Sequence, residues 1–346
     1  MTASRSDYAA ILLRNDPILD VRSPREFERG AIPNSRNIPI LTDDERHDVG
    51  LTYKQDGKAA AIARGHELVE SDTKADRVSA WLKYIHAANP TALTCWRGGK
   101  RSQIAQQWLA EAGCDIPRLD GGFKALRQTS LDVIAQSSKR DWLVVAGSTG
   151  VGKTRFLRNY QPSIDLEAIA NHRGSAFGSM ATPQPTPVTF EIATAQALLQ
   201  IADFKCCLIE DESRTIGRLA VPNALYKATQ NAPLVVLEAP LSERIRFTYE
   251  EYVIGAIPTQ LIEAVDRIQK RLGRERHRIV RGKLVEALRQ SNAELHQEWI
   301  GCLFDWYYDP MYEFQLSRKQ ERIVFKGNAA ELREHLATAY QLPCNA

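Results

Sequence analysis

Short apolar runs, punctuated by turn residues, alternate with amphipathic stretches along the first third of the chain. The runs "ILDV" (18–21) and "TALTC" (91–95) predict buried strands, and "IPRLDGGF" (116–123) predicts a third strand with its turn. Residues 102–112 carry apolar side chains at helical spacing. Because strands alternate with helices, we expect an α/β domain with a parallel sheet over residues 1–128.

The same alternation starts again after a polar segment. Residues 129–140 are expected to be a linker helix or domain boundary, and residues 141–241 predict a second α/β domain. Residues 242–346 are mostly helical in pattern and richly charged, and are expected to pack on the second domain. The strands predicted in that domain are "DWLVVAG" (141–147), "SIDLE" (163–167), "CCLIEDE" (206–212) and "APLVVLEAP" (232–240).

Composition excludes several classes of protein. The 346 residues are 44% hydrophobic and 25% charged, without an apolar run of about 18 residues and without the apolar stretch of a secretory signal near the start. We therefore expect a soluble, cytoplasmic protein with no membrane partner. The six cysteines show no metal-ligand spacing with the seven histidines, so neither a zinc site nor a disulfide framework is indicated. Since the net charge is only +3, a polyanion would have to bind through a local patch.

The stretch "TCWRGGKRS" (94–102) places a cysteine at the head of a loop with two glycines and three cations. A thiolate is the reactive form of cysteine, and neighbouring cations and backbone N–H groups stabilise it. The same concave loop can hold an oxyanion beside the sulfur. The predicted catalytic set is Cys95, Arg97, Lys100 and Arg101. The alternative is a buried cysteine that ends a strand beside a solvent-facing cationic turn.

The stretch "GSTGVGKT" (147–154) has the spacing of a phosphate-binding loop and lies between an apolar strand and a helical run. Backbone N–H groups of the loop and of the following helix N-terminus would hold a diphosphate, with Lys153 on its outer oxygens. The spacing does not decide whether this diphosphate belongs to a nucleotide, and a glycine turn without ligand is the alternative. The predicted loop residues are Gly147, Ser148, Thr149, Gly150, Val151, Gly152, Lys153 and Thr154.

Two further groups are expected near this loop. Thr154, Glu210 and Asp211 are predicted to hold Mg²⁺, with Glu212 as a further acidic partner of the ion or its water. The acids come at a strand end of the same sheet, and hydroxyl and carboxylate oxygens suit this ion. Arg173, in the glycine loop "NHRGSAFG" (171–178), is placed to meet an anion.

The segment "RIQKRLGRERHRIVRGK" (267–283) contains a single acid, Glu275, among many cations. This density suits phosphate contacts, so we expect it to bind RNA; the alternative is a solvated helix face. The nearby "DWYYDPMYEFQ" (305–315), with Tyr308, offers rings for stacking on bases or on an isoprenoid, or else belongs to the core. The predicted RNA-binding residues are Arg267, Lys270, Arg271, Arg274, Arg278 and Arg281.

Three segments of the first domain resemble a rhodanese domain: "DVRSPREFERGAIPNSRNIP" (20–39), the Cys95 loop and "LDGGFKAL" (119–126). The loop is one residue longer than is usual in rhodaneses and in this resembles the related phosphatases, whose loop admits a tetrahedral phosphate. Arg244 and Arg246 resemble the lid arginines of phosphate-loop kinases, with surface ion pairs as the alternative. The chain resembles the tRNA 2-selenouridine synthase family over nearly its whole length, including the polar insertion 41–71.

The resemblance implies a transferase that acts in two steps on the wobble uridine of tRNA. 2-Thiouridine in the anticodon is first S-geranylated by geranyl diphosphate at the phosphate loop. Selenium from selenophosphate then replaces the geranylthio group, with Cys95 as nucleophile or selenium carrier. An enzyme that makes selenophosphate is the implied partner, and we expect a monomer. Two other interpretations stay open: a phosphate-loop ATPase or kinase with a regulatory rhodanese module, and a thiosulfate sulfurtransferase.

Overall fold

The computed structural model describes residues 4–70, 72–342 and 344, which form two compact units. The first unit is the chain up to Ala135 together with Thr186–Gln200, and the second is Gln136–Pro185 together with the chain from Ile201. The boundary at Ala135 falls inside the predicted linker 129–140. Residues 186–200 differ from the expectation, because they were assigned to the second domain and are grouped with the first unit.

Strands and helices alternate through both units. None of the helices in the described ranges is both long and apolar enough to cross a bilayer. The strands are β1 (Ser4–Arg5), β2 (Ile18–Asp20), β3 (Ser35–Asn37), β4 (Ala92–Thr94), β5 (Arg118–Leu119), β6 (Asp141–Ala146), β7 (Ser163–Ile164), β8 (Cys206–Glu210), β9 (Thr215–Ile216), β10 (Leu219–Ala220), β11 (Leu234–Leu237) and β12 (Ile323–Gly327). The helices are α1 (Tyr8–Arg14), α2 (Pro24–Glu28), α3 (Asp43–Leu68), α4 (Asp72–Ala88), α5 (Lys100–Glu111), α6 (Gly122–Gln136), α7 (Lys153–Leu157), α8 (Leu166–Ala170), α9 (Pro187–Gln200), α10 (Asn223–Asn231), α11 (Leu241–Tyr252), α12 (Pro258–Arg267), α13 (Gln269–Leu272), α14 (Arg274–Gln290), α15 (Ala293–Leu303), α16 (Asp309–Ser317) and α17 (Ala329–Ala339), with a π-helical turn, Phe304–Tyr308, between α15 and α16.

The first unit contains a five-stranded parallel sheet in the order β1-β5-β4-β2-β3, which confirms the predicted fold class. Ile18 and Leu19 pack into different apolar clusters. Successive residues of a strand point to opposite faces, so both faces of β2 are buried and its sequence is a continuous apolar run. Asp20, which ends β2, pairs in register with Thr94, which ends β4. The residues that follow both strands, Cys95 among them, therefore meet at one edge of the sheet.

The polar insertion 41–71 folds largely as α3. Thr42 begins the helix with a reciprocal cap, because its Oγ1 accepts from the Glu45 backbone N–H and the Glu45 carboxylate accepts from the Thr42 N–H. Gly57, with φ of +87°, kinks the helix, and Arg64 beyond the kink pairs with Asp48 before it at 2.7 Å. The insertion is thus a bent, internally paired helix rather than an open loop.

The second unit contains a parallel sheet in the order β12-β11-β6-β8-β7. Strand β12 comes from the region that was expected to be mostly helical, and it pairs with β11 at the edge of this sheet. Helices α11 to α15 and the π-helical turn bury a separate apolar cluster that includes Leu261, Trp299 and Phe304. The C-terminal region therefore contributes both an edge strand and a helical layer to the unit that carries the phosphate loop.

The basic segment 267–283 spans parts of three helices. Helix α12 ends at Arg267, α13 is one short turn, and α14 begins at Arg274. Gly273, with φ of +85°, lies in the left-handed region between α13 and α14 and breaks the helix there. Leu272 and Val280 are buried on the inner side of these helices.

Candidate active sites

The Cys95 thiol lies at the edge of the first sheet, directly after β4. The residue is only 2% exposed, and its Sγ donates to Ser102 Oγ at 3.2 Å. The Ser102 hydroxyl in turn donates to the Gly99 carbonyl oxygen at 3.0 Å. Because α5 begins at Lys100, Ser102 lies in the first turn of that helix and faces back toward the sulfur.

Glycines hold this loop against the turn that follows β5. Gly98 and Gly122 both have φ of +62°, and a Cβ on Gly122 would lie 2.3 Å from the Cys95 carbonyl oxygen and 2.4 Å from the Gly98 nitrogen. Arg118 adds a hydrogen bond from Nη1 to the Gly98 carbonyl oxygen at 2.7 Å. Sequence reasoning missed Arg118, because nothing in the pattern of a strand residue shows that its side chain reaches another loop.

Two ion pairs lie close to the Cys95 loop. Arg22 and Asp20 pair at 2.7 Å with both side chains fully buried, and the Arg22 guanidinium lies 3.9 Å from the centroid of the Phe123 ring. Arg101 donates to both carboxylate oxygens of Glu26, with Nη2 to Oε1 at 3.2 Å. Burial tends to raise the pKa of Glu26, but the hydrogen bonds and charge of Arg101 outweigh it and lower that pKa. Arg101 is therefore held in one orientation by an ionised partner.

A cavity of about 870 Å³ opens in front of Cys95. Eight cationic side chains line it against two carboxylates, Glu26 and Asp43. Arg97 and Lys100 are exposed and form no ion pair within the described part of the chain. The structure thus brings all four predicted catalytic residues to one cavity; their catalytic role stays a prediction. The cations are Arg22, Arg25, Arg29, Arg46, Arg97, Lys100, Arg101 and Arg127.

Helix α9 forms part of the wall of this cavity. Val188 lines it, and a Cβ on Gly30 would lie 2.6 Å from the Val188 Cβ, so the helix can approach this closely only because residue 30 is glycine. Glu191 of the same helix pairs with Arg127 at 2.9 Å. This contribution could not be predicted from the sequence, because α9 lies far along the chain from the rest of the unit.

The phosphate loop runs from the end of β6 to α7. Gly150 and Gly152 have φ of +79° and +82°, which a side chain would strain, and Lys153 Nζ donates to the Gly147 carbonyl oxygen at 2.8 Å. The loop therefore has the backbone shape that its glycines predict. Because α7 is only five residues long, its dipole is small, and an anion here would depend on the loop N–H groups and Lys153.

Three carboxylates converge beside this loop. One oxygen each from Glu167, Glu210 and Glu212 lie within 4.8 Å of one another, and Thr154 Oγ1 lies 3.3 Å from Glu167 Oε2. Asp211 lies outside this cluster and pairs with Lys319, whose Nζ lies 2.7 Å from both of its carboxylate oxygens, so its role as a metal ligand stays a prediction. Glu167 was missed because it precedes the acidic strand end by more than 40 residues and reaches it only through the fold.

The carboxylate cluster suits a hard divalent cation such as Mg²⁺. Its donors are carboxylate and hydroxyl oxygens, and Glu210 Oε1 is buried without a hydrogen-bond partner among the described residues. Burial, then the charge of Glu210, raises the pKa of Glu167 to about 8, and burial also raises the pKa values of Glu210 and Glu212. Carboxylates in this state take up either a proton or a cation.

The two arginines that were expected near the phosphate differ in their surroundings. Arg173 donates to the Glu251 carbonyl oxygen, and its guanidinium lies 5.0 Å from the centroid of the Tyr252 ring. Arg244 is not part of a surface ion pair, and its role as a lid arginine stays a prediction. Its side chain is 8% exposed and pairs with Asp309 at 2.5 Å.

The six predicted RNA-binding cations of the basic segment fall into two groups. Arg267, Arg271 and Arg281 are engaged, with the Ala176 carbonyl oxygen, the Tyr307 hydroxyl and Asp266 respectively. The others are exposed and form no ion pair in the described ranges; they are Lys270, Arg274 and Arg278. Of these six, Arg281 has its charge offset by a carboxylate, whereas Arg267 and Arg271 keep their charge but are held by neutral oxygens. The side chains of Lys270, Arg274 and Arg278 are therefore the ones best able to reach a polyanion.

The first part of the aromatic segment packs on an apolar cluster, whereas Phe314 near its end is 64% exposed. Tyr308 is only 6% exposed and packs in the cluster around Trp299 and Phe304, and Trp306 and Tyr307 pack against it. Of the two alternatives left open for Tyr308, its burial therefore favours the core over stacking on a base or an isoprenoid.

Comparison with known proteins identifies the family. Residues 4–129 match the rhodanese-like domain family, and residues 140–342 match the family described as the tRNA 2-selenouridine synthase AAA domain. A tRNA 2-selenouridine synthase of Sulfurovum sp. (strain NBC37-1) is 44% identical over 96% of this chain and 97% of its own length. The chain belongs to the tRNA 2-selenouridine synthase family. It is accordingly an enzyme of the transferase class.

Other members of the tRNA 2-selenouridine synthase family are similar over the same extent. The protein of Shewanella woodyi (strain ATCC 51908 / MS32) is 42% identical over 96% of both chains. That of Shewanella piezotolerans (strain WP3 / JCM 13877) is 43% identical over 99% of this chain and 98% of its own length. The similarity therefore covers both the Cys95 unit and the phosphate-loop unit.

Proposed function

We propose that this protein acts in the cytoplasm on tRNA and converts 2-thiouridine at the wobble position into 2-selenouridine by way of an S-geranylated intermediate. The observation that carries the proposal is the pairing, in one chain, of a cysteine in a cationic cavity with a glycine-rich phosphate loop beside three carboxylates. Each site suits one of the two co-substrates, because selenophosphate is a small tetrahedral anion and geranyl diphosphate carries a diphosphate.

The first step suits the phosphate loop. The sulfur of 2-thiouridine attacks the first carbon of the geranyl chain, the bond from that carbon to oxygen breaks, and the electron pair leaves with diphosphate. Lys153 and the loop N–H groups would stabilise the charge that develops on the leaving group. Mg²⁺, held by Glu167, Glu210, Glu212 and Thr154, would supply further neutralisation of that charge. Alkylation makes the sulfur a good leaving group for the second step.

The second step suits the Cys95 cavity. Selenium of selenophosphate enters at C2 of the base, and the geranylthio group departs with a proton as the thiol. The P–Se bond then breaks, selenium keeps the electron pair, and the phosphoryl group ends on water as phosphate. Arg97 and Lys100 are free to bind the selenophosphate oxygens, while Arg101 is oriented by Glu26. Cys95 is the nucleophilic group of this step.

The test is a nucleoside analysis with purified protein and tRNA that carries 2-thiouridine. We expect geranyl diphosphate alone to give the S-geranylated nucleoside and the further addition of selenophosphate to give 2-selenouridine. Substantial ATP hydrolysis without either product would contradict the proposal and favour a phosphate-loop ATPase with a regulatory rhodanese module. Transfer of sulfur from thiosulfate to cyanide, again without either product, would favour a simple sulfurtransferase.

A further inference from the structure

The oxidation state of selenium in selenophosphate limits what Cys95 can take from it. Selenium there is fully reduced, so attack of the thiolate on selenium would form an S–Se bond only if the P–Se electron pair left with phosphorus as phosphite, or if an oxidant removed an electron pair. Attack of the thiolate on phosphorus needs neither phosphite as a leaving group nor an oxidant. The S–P bond forms, the P–Se bond breaks, and the electron pair leaves with selenium.

The cations around Cys95 are arranged for a phosphoryl group. A phosphoryl group in transfer spreads negative charge over three oxygens, which planar, forked guanidinium groups bind well. Arg101 uses only part of its five N–H donors on Glu26, which fixes the plane of the remaining ones. Arg97 and Lys100, which are exposed and line the same cavity as Cys95, add two further cations.

Ser102 supplies the second requirement, a means of releasing the phosphoryl group. Its Oγ lies 3.2 Å from Cys95 Sγ, and its hydroxyl is held by the Gly99 carbonyl oxygen in the present arrangement. Rotation of that hydroxyl toward the sulfur would stabilise a departing thiolate when water attacks the phosphorus. Hydrogen-bond donation to a thiolate makes it a better leaving group.

We propose that Cys95 is a phosphoryl acceptor, which forms a phosphocysteine in the second step, and not a selenium carrier. The inference rests on the function proposed above. Selenium of selenophosphate attacks C2, and geranylthiol leaves with a proton. The Cys95 thiolate then attacks phosphorus of the Se-phosphorylated nucleotide, selenium keeps the electron pair as 2-selenouridine, and water hydrolyses the phosphocysteine to phosphate. A cavity of about 870 Å³ has room for such a nucleotide, since it falls in the range that holds drug-sized ligands.

The test uses the full chain, S-geranylated tRNA and selenophosphate, with rapid quenching and peptide mass spectrometry of the Cys95 peptide. In Ser102→Ala we expect phosphocysteine to accumulate to near one per chain, because its hydrolysis is slowed, while one equivalent of 2-selenouridine forms. Gln103→Ala is the matched control, because residue 103 is exposed in the same helical turn and should behave as wild type. Wild type, with selenophosphate radiolabelled at phosphorus, should show a transient protein-bound label that Cys95→Ser lacks.

The outcomes separate this inference from the proposed function. Selenium found on Cys95 while 2-selenouridine forms would overturn the phosphoryl inference and leave the function intact. The phosphoryl inference would also be overturned by two results together. Wild type would turn over fully without labelled protein at any quench time, and Ser102→Ala would turn over fully while its Cys95 stayed unmodified. Failure of wild type to make any 2-selenouridine would count against the proposed function itself.

Discussion

Arg244 Nε donates to the Thr149 carbonyl oxygen at 2.9 Å and so ties helix α11 to the phosphate loop. The same guanidinium binds both carboxylate oxygens of Asp309, at 3.0 and 2.5 Å, and lies 4.7 Å from the centroid of the Phe304 ring. A Cβ on Gly150 would lie 2.8 Å from the Arg244 carbonyl oxygen. The shape of the loop is therefore maintained from the C-terminal helical region as well as by its own glycines.

Replacement of Arg244 should loosen the phosphate loop. Arg244→Ala leaves Asp309 without its partner, and breaking a buried pair in this way costs about 3 kcal/mol in the free energy of unfolding. Arg244→Lys keeps the positive charge but lacks the forked guanidinium that binds Asp309 and the Thr149 carbonyl oxygen together. We therefore expect a folded protein whose phosphate loop is less well held and whose KM for geranyl diphosphate is raised. Denaturant unfolding and geranylation kinetics measure the two effects. Arg246→Ala, at an exposed neighbouring position, is the control; an equal change there would contradict the role assigned to Arg244.

The carboxylate cluster should make stability depend on pH. The pKa of Glu167 is raised from its ordinary value of 4.5 to about 8, so the folded state holds this proton more tightly than the unfolded state. Its contribution to stability is full below the unfolded pKa and is lost as pH rises through about 8. We expect the melting temperature without divalent cations to fall between pH 5 and pH 9, and Glu167→Gln to flatten that decline.

Mg²⁺ should counter the same decline, because it binds the deprotonated carboxylates. Melting curves of wild type at the upper end of the pH range, with and without Mg²⁺, measure this. Equal pH dependence in wild type and Glu167→Gln, together with no effect of Mg²⁺ on either, would contradict the assignment of Glu167 to a cation site.

The unpaired cations of the basic segment should carry affinity for tRNA. Reversal of Lys270, Arg274 and Arg278 to glutamate should reduce the steepness of log affinity against log salt by about 2 to 3. Each phosphate contact that is lost means that fewer counterions are released when tRNA binds. Filter binding over a salt series measures the slope. Arg289→Glu is the control, because Arg289 lies on the same helix but pairs with Glu286 at 2.7 Å. An unchanged slope in the triple variant would make the segment a solvated surface.

The sequence predicts the parts of each site that are close together along the chain. The Cys95 loop and the phosphate loop are recognisable because each packs glycines, cations and a reactive group into eight or nine consecutive residues. The strands before them are recognisable because both faces of a parallel sheet are buried, which leaves continuous apolar runs. These are local properties, so they can be read without knowledge of the fold.

Contacts between distant segments could not be predicted in the same way. Glu167 lies beside Glu210 only because α8 and the end of β8 meet in the folded unit. Lys319 forms an ion pair with Asp211, although more than 100 residues separate them along the chain. Charge density alone likewise did not separate Lys270 from Arg281, because the partner of Arg281, Asp266, lies just outside the basic run. In each case the missing information was the position of a carboxylate or cation in space.

The central claim, that the two steps belong to two separate sites, is tested most directly by giving each active-site variant the substrate of the other step. Cys95→Ser should convert 2-thiouridine tRNA to the S-geranylated form and should yield no 2-selenouridine when selenophosphate is added. Lys153→Ala should fail at geranylation but convert S-geranylated tRNA and selenophosphate to 2-selenouridine at close to the wild-type rate. Nucleoside mass analysis of both reactions, and of a mixture of the two variants that should restore the full conversion, gives the answer. Loss of geranylation in folded Cys95→Ser, or loss of selenation of S-geranylated tRNA in folded Lys153→Ala, would contradict the division of the two steps between the two sites.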